Sequence, residues 1–137
     1  MERRYGGLLR DATNRMTAEL NAFAQPYGLT GLQMSVIDYL SRQGTKTIFQ
    51  VDVEREFHIR RSTASLIIKR MVERNLLTRE VAASDSRKRQ LKLTPKGRDF
   101  EPIITQHFAE QDAKMVANLS PEAVNGFLQA LKQISRW

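Results

Sequence analysis

Residues 58–94 read HIRRSTASLIIKRMVERNLLTREVAASDSRKRQLKLT, and a change of period inside this stretch decides the fold. Over residues 62–74 the apolar side chains Ala64, Ile67, Ile68, Met71 and Val72 fall on one face of a helix, and Ser62, Ser65, Lys69 and Glu73 fall on the other. Over residues 77–94 the period becomes two. Leu77, Arg79 and Val81 alternate with Thr78 and Glu80, and Leu91 and Leu93 alternate with Gln90, Lys92 and Thr94, as two half-buried strands do. A polar tip, Ser84-Asp85-Ser86-Arg87-Lys88-Arg89, joins the strands. Asn75 stands where the helix ends, because Asn tolerates the left-handed conformation better than most residues.

The same stretch holds the charge. Residues 60–92 contain ten of the 22 Lys/Arg and three of the 15 Asp/Glu (Glu73, Glu80 and Asp85), so the rest of the chain balances at 12 basic and 12 acidic and the net +7 sits here. A surplus confined to one helix and one hairpin is the footprint of a polyanion-binding surface, since Lys and Arg neutralise phosphates and release condensed counterions. Nucleic acid is the partner this implies.

Upstream, Tyr5, Leu8, Leu9, Ala12, Met16, Leu20 and Phe23 recur every three or four positions and predict an amphipathic helix from Tyr5 to Ala24, stopped by Pro26. Thr30 and Gln33 have capping-box spacing and open a second helix ending near Gly44, with Leu32, Val36, Ile37 and Leu40 as its buried stripe. Thr47 and Gln50 repeat the spacing and predict a short third helix with Ile48, Val51 and Phe57 inward, before a turn at His58-Ile59-Arg60-Arg61. Downstream, Thr94-Pro95 and Ser120-Pro121 are N-cap-plus-proline starts of two more helices.

Two helices joined by a short turn and followed by a basic hairpin have the layout of a winged helix-turn-helix, the second helix entering the major groove and the hairpin flanking it. Arg60 and Arg61, at the start of that helix, present guanidinium forks for guanine or phosphate. Ser62, Thr63 and Ser65 are short hydroxyl partners that allow close approach, and Lys69 is a point charge for phosphate. In the wing, Arg87 is the candidate for the minor groove with Asp85 orienting it, and Lys88 and Arg89 add charge beside it.

Other function classes find little support. The 137 residues are 41% hydrophobic and 27% charged, which fits one ordinary globular domain. No cysteine is present, so disulfides and thiolate zinc sites are excluded. The two histidines, His58 and His107, have no companion ligands at metal-site spacing, and no metal or cofactor is expected. No Gly-rich phosphate loop or paired carboxylate suggests an enzyme. Apolar runs are too short for a membrane span, and Met1-Glu2-Arg3-Arg4-Tyr5 shows no signal-peptide core, so a soluble cytoplasmic protein is expected. Met16, Met34, Met71 and Met115, with Phe100, Phe108 and Phe127, line either an effector pocket or plain core; helical spacing favours core.

Three stretches carry a resemblance to the MarR (multiple-antibiotic-resistance regulator) family: Gly28-Leu29-Thr30 with Gln33; Ile59-Arg60-Arg61-Ser62-Thr63-Ala64-Ser65; and Asp85-Ser86-Arg87 with Leu91-Lys92-Leu93-Thr94 and Gly97. The resemblance spans nearly the whole chain. It implies a mostly α fold with a small β-hairpin wing, in which about residues 28–94 form the DNA-binding lobe. About residues 1–25 and 95–137 then form the helical dimerisation region. It also implies a homodimer that represses pseudo-palindromic operators and is relieved by a small lipophilic or aromatic effector lodged between the lobes. DNA contacts carry over to Arg60, Arg61, Ser62, Thr63, Ser65 and Arg87, with Asp85 in support. The turn Phe57-His58-Ile59-Arg60 departs from the family pattern by lacking its capping hydroxyl, a role then left to another group such as Ser62. The competing reading is a winged-helix protein-interaction module, or one binding nucleic acid without sequence preference.

Overall fold

The computed structural model describes residues 4–83 and 85–137, with the side chains of residues 85 and 86 outside that description. The N-terminal Met1-Glu2-Arg3 and the tip residue Ser84 therefore lie outside the described residues. The chain divides into two compact units, Met1–Pro102 and Ile103–Trp137.

The first unit opens with α1 (Tyr5–Ala24), a 3₁₀ turn (Gln25–Tyr27) holding Pro26, and α2 (Gly31–Ser41). The capping box of α2 forms as the sequence predicts: Thr30 Oγ1 accepts from the Gln33 amide at 3.1 Å, and Gln33 Oε1 accepts from the Thr30 amide at 2.9 Å. Two otherwise unpaired backbone donors at the helix start are thereby satisfied. Gly28, at φ 71°, turns the chain from the 3₁₀ turn toward α2, a left-handed conformation that a side chain disfavours. Its carbonyl and that of Tyr27 accept from the Arg74 guanidinium, the latter at 3.1 Å.

β1 (Ile48–Phe49) follows, then α3 (Gln50–Phe57), a turn, and α4 (Arg61–Glu73). The predicted start of the third helix at Thr47 is corrected here. Ile48 and Phe49 pair instead with Leu91 and Gln90, and the helix begins at Gln50, where the Asp52 carboxylate accepts from the Phe49 amide at 2.8 Å. The reason is tertiary: the open edge of the hairpin takes a β-branched and an aromatic residue as a third strand. The sheet is antiparallel with order β1-β3-β2, formed with β2 (Leu77–Ala82) and β3 (Asp85–Leu93).

In β2 the predicted alternation fails beyond Leu77. Arg79 is exposed and Val81 is 54% exposed, while a register shift between Val81 and Ala82 turns Ala82 inward. In β3 it holds, with Leu91 and Leu93 buried and Lys92 exposed between them. The core of this unit is Met34, Val36 and Ile37 of α2, Val53 of α3, Ala64, Ile68 and Met71 of α4, and Leu76 and Leu77. Met34 and Met71 are thus core residues, the plainer of the two readings given to the methionines.

The helix predicted from Thr94-Pro95 is interrupted. A four-residue α5 (Pro95–Arg98) ends at Asp99, and α6 (Glu101–Val116) begins anew, carrying the chain into the second unit. There α7 (Pro121–Ile134) starts as predicted, with Ser120 Oγ accepting from the Ala123 amide at 3.1 Å. No residue of α7 is buried, and Phe127, Leu128, Leu131 and Ile134 are between 36% and 48% exposed. α1 likewise buries only Ala24 and leaves Tyr5, Leu8, Leu9 and Met16 exposed.

Candidate nucleic-acid interface

The turn between α3 and α4 is built by His58, which adopts φ 51° and closes α3 in the left-handed conformation, and by the Ile59 amide, which donates to Glu54 O at 3.1 Å. Arg60 occupies the N-cap of α4 and its side chain makes no capping hydrogen bond. Ser62 lies inside the helix as its second residue, so the capping role proposed for it is not the one it occupies. The first amides of α4 consequently lack intrahelical partners and point away from the helix start, the arrangement that favours an anion.

Along α4 the buried residues are Ala64, Ile68 and Met71, and Arg61, Ser62, Thr63, Lys69 and Arg70 are exposed on the remaining arc. Arg60 is exposed just before them and Ser65 is half-buried. Arg61 and Ser65 line a cleft of about 490 Å³ whose far wall is Arg87, Lys88 and Arg89 of β3, with Arg79 of β2. Phe49, Gln50, Val51 and Glu54 close it on the side of α3. Lys88 Nζ stands 5.1 Å from the centroid of the Phe49 ring, a cation–π contact that ties the strand carrying the three cations to the β1–α3 junction. Five cationic side chains and one carboxylate therefore face a single open groove. Such a groove attracts phosphate, because five positive charges against a single carboxylate give it a net positive field.

The structure thus brings together five of the nine predicted contact residues, Arg61, Ser65, Arg87, Lys88 and Arg89, in one cleft. Arg60, Ser62, Thr63 and Lys69 are exposed on or beside α4 without lining it. The predicted orientation of Arg87 by Asp85 falls on a side chain outside the described residues. Arg79, Phe49 and Gln50 were not anticipated at the site. The surplus charge gave a signal for Arg79, whereas Phe49 and Gln50 become visible only once β1 is paired.

Two cations of the surplus serve other ends. Arg74 clamps the carbonyls of Tyr27 and Gly28, and its own carbonyl accepts from Lys96 Nζ at 3.0 Å. Lys92 lies 3.8 Å from Glu80, an exposed pair worth little in stability. Behind the site, the buried Tyr39 ring of α2 meets Phe57 of α3 edge-on at 5.9 Å. Burial raises the Tyr39 phenol above its ordinary range, and the nearby carboxylates of Asp52 and Glu56 add to the effect. Among the described residues no group of three or more His, Asp or Glu side chains is placed to hold a metal ion, and no helix is long and apolar enough to cross a membrane.

The MarR-family model matches residues 27–88, from the 3₁₀ turn to the wing. None of the curated proteins compared matches the chain. Among solved structures, the transcription regulator MarR from Oenococcus oeni PSU-1 is 40% identical over 98% of this chain and all of its own, with a TM-score of 0.82. S. aureus MepR in a complex with DNA superposes with a TM-score of 0.90 at 21% identity over 98% of both chains. The transcriptional regulator SlyA gives 0.83 at 20% identity over 94% of this chain and 92% of its own. The latter two show the fold; with 40% identity to the first carried across nearly every residue, the chain belongs to the MarR family of non-enzymatic transcription regulators.

Proposed function

We propose that this protein is a dimeric, sequence-specific repressor that binds pseudo-palindromic duplex DNA through α4 and the wing. The observation that carries this reading is the cleft in which Arg61 and Ser65 of α4 face Arg79, Arg87, Lys88 and Arg89 of the sheet. A helix and a basic ribbon arranged in this way suit a duplex whose bases meet the helix and whose phosphates meet the ribbon. The related fold of S. aureus MepR has been solved with DNA bound, which supports the same use here. In the protein, Arg60, Ser62, Thr63 and Lys69 extend the contact along α4 beyond the cleft.

Dimerisation accounts for the apolar side chains left uncovered on α1 and, separately, on α7. A second copy of the chain would remove them from water at about 25 cal/mol per Å² of apolar surface. Family membership further suggests action in the cytoplasm and release of the operator by a small lipophilic or aromatic effector, through a shift between spacings of the two DNA-binding lobes.

Selection of bound duplexes from a random library tests the proposal. The expected result is an inverted repeat with half-sites about one turn apart, roughly 34–36 Å. If no sequence is enriched, the protein-interaction or non-specific reading takes its place. On the selected operator, Arg87→Ala is expected to weaken binding and to reduce the slope of log affinity against log salt by about one. An unaltered slope, measured by titration at several salt concentrations, would remove Arg87 from the interface.

A further inference from the structure

The outward arc of α4 is polar with one exception. Leu66 is 47% exposed, while the neighbouring exposed residues on that arc are Ser62, Lys69, Arg70 and Glu73. Leu66 lies two residues from both Ala64 and Ile68, which are fully buried, and two residues on an α-helix turn the side chain by about 200°. It therefore points almost straight away from the core. Ser62 and Lys69, four residues before and three after, share its face.

A lone exposed leucine on a protein surface is ordinary. This one stands between Ser62 and Lys69 on the exposed face of α4 that the proposed function lays along the duplex, where a polar residue would be better solvated in the free protein. A leucine there can neither donate nor accept a hydrogen bond. Of the groups that base pairs show in the major groove, the thymine 5-methyl is the one apolar feature, so it is the one partner this side chain can match.

We propose that Leu66 is a specificity-determining residue that packs against a thymine 5-methyl group in each half-site. The inference rests on the DNA-binding reading above and deepens it. Ser62 and Lys69 fix the helix against the backbone or neighbouring bases, and Leu66 rewards one base at one position by covering its methyl group.

Deoxyuridine tests this directly, because it keeps every hydrogen-bonding group of thymine and lacks only the methyl. Each thymine of the selected operator is replaced in turn, and affinities are measured for the wild type and for Leu66→Ala. For the wild type, one replacement per half-site is expected to weaken binding about fourfold, the value of one buried methyl. For Leu66→Ala that replacement has no effect, and on an operator carrying deoxyuridine at that position in both half-sites the variant binds about as tightly as the wild type does. That last equality also shows that the variant is folded. An operator enriched by the wild type, with the two proteins responding equally to every replacement, overturns the role of Leu66 and leaves the DNA-binding reading intact. Failure of the wild type to enrich any operator overturns both.

Discussion

Gly97→Ala is expected to lower the thermal midpoint of unfolding by roughly 10 °C, at fixed protein concentration so that dimerisation does not confound the comparison. Position 97 lies in α5, where alanine would ordinarily gain about 1 kcal/mol in helix propensity over glycine. Here the new Cβ would stand 2.1 Å from the Leu76 carbonyl oxygen, 3.1 Å from its carbon and 3.2 Å from Leu93 Cδ2. Backbone cannot swing aside as a side-chain tip can. The same carbonyl accepts from the Thr94 amide at 3.1 Å, and Thr94 Oγ1 both accepts from the Gly97 amide at 3.0 Å and donates to Asn75 O at 2.6 Å.

Moving α5 outward would thus strain three hydrogen bonds that join the end of α4, the start of β2 and the end of β3. Overpacking of this kind costs about 3 kcal/mol, which exceeds the propensity gain and sets the sign of the effect. A midpoint that is unchanged or raised would show that α5 relaxes without cost. The close approach would then not be what requires glycine at this position.

Arg61→Ala is expected to cost about 1–3 kcal/mol of specific affinity and to relax discrimination at one base position of each half-site. Arg61 is the first residue of α4, exposed, and part of the cleft wall opposite Arg87, Lys88 and Arg89. A guanidinium can meet a guanine edge with two donors in fixed geometry, whereas lysine offers a point charge. Fluorescence anisotropy on the selected operator and on its single-base variants separates the outcomes. A loss that depends on the base assigns Arg61 to base readout. A uniform loss, with the salt slope reduced by about one, assigns it to phosphate instead. Undiminished binding removes it from the interface. The side chain is exposed and caps nothing, so the fold should not be disturbed.

Much of the fold was legible because the signals for it are local. Thr30 and Gln33 meet within one helical turn, and their capping box formed as the spacing implied. The period of Ala64, Ile68 and Met71 placed the inner face of α4, and Asn75 adopts φ 59° where the helix was expected to end. What failed was set at long range. Nothing near Ile48 and Phe49 announces that they will pair with Leu91 and Gln90, and a capping-like spacing drew the helix start too early in the chain, to Thr47 instead of Gln50. The bulge at Val81/Ala82 and the break between α5 and α6 leave no comparable mark in the hydrophobic pattern.

The candidate site divides in the same way. By itself the sequence determined that residues 60–92 carry the surplus charge and that a helix and a hairpin bear it, because residue type and periodicity depend on neighbours three or four positions away. Only the tertiary structure decided which of those cations act together. It set Arg61 and Ser65 against Arg79, Arg87, Lys88 and Arg89, and diverted Arg74 to the carbonyls of Tyr27 and Gly28. The physical reason is that a side chain's charge is a property of the residue, whereas the field it joins is fixed by strand register and helix packing between segments far apart in the chain.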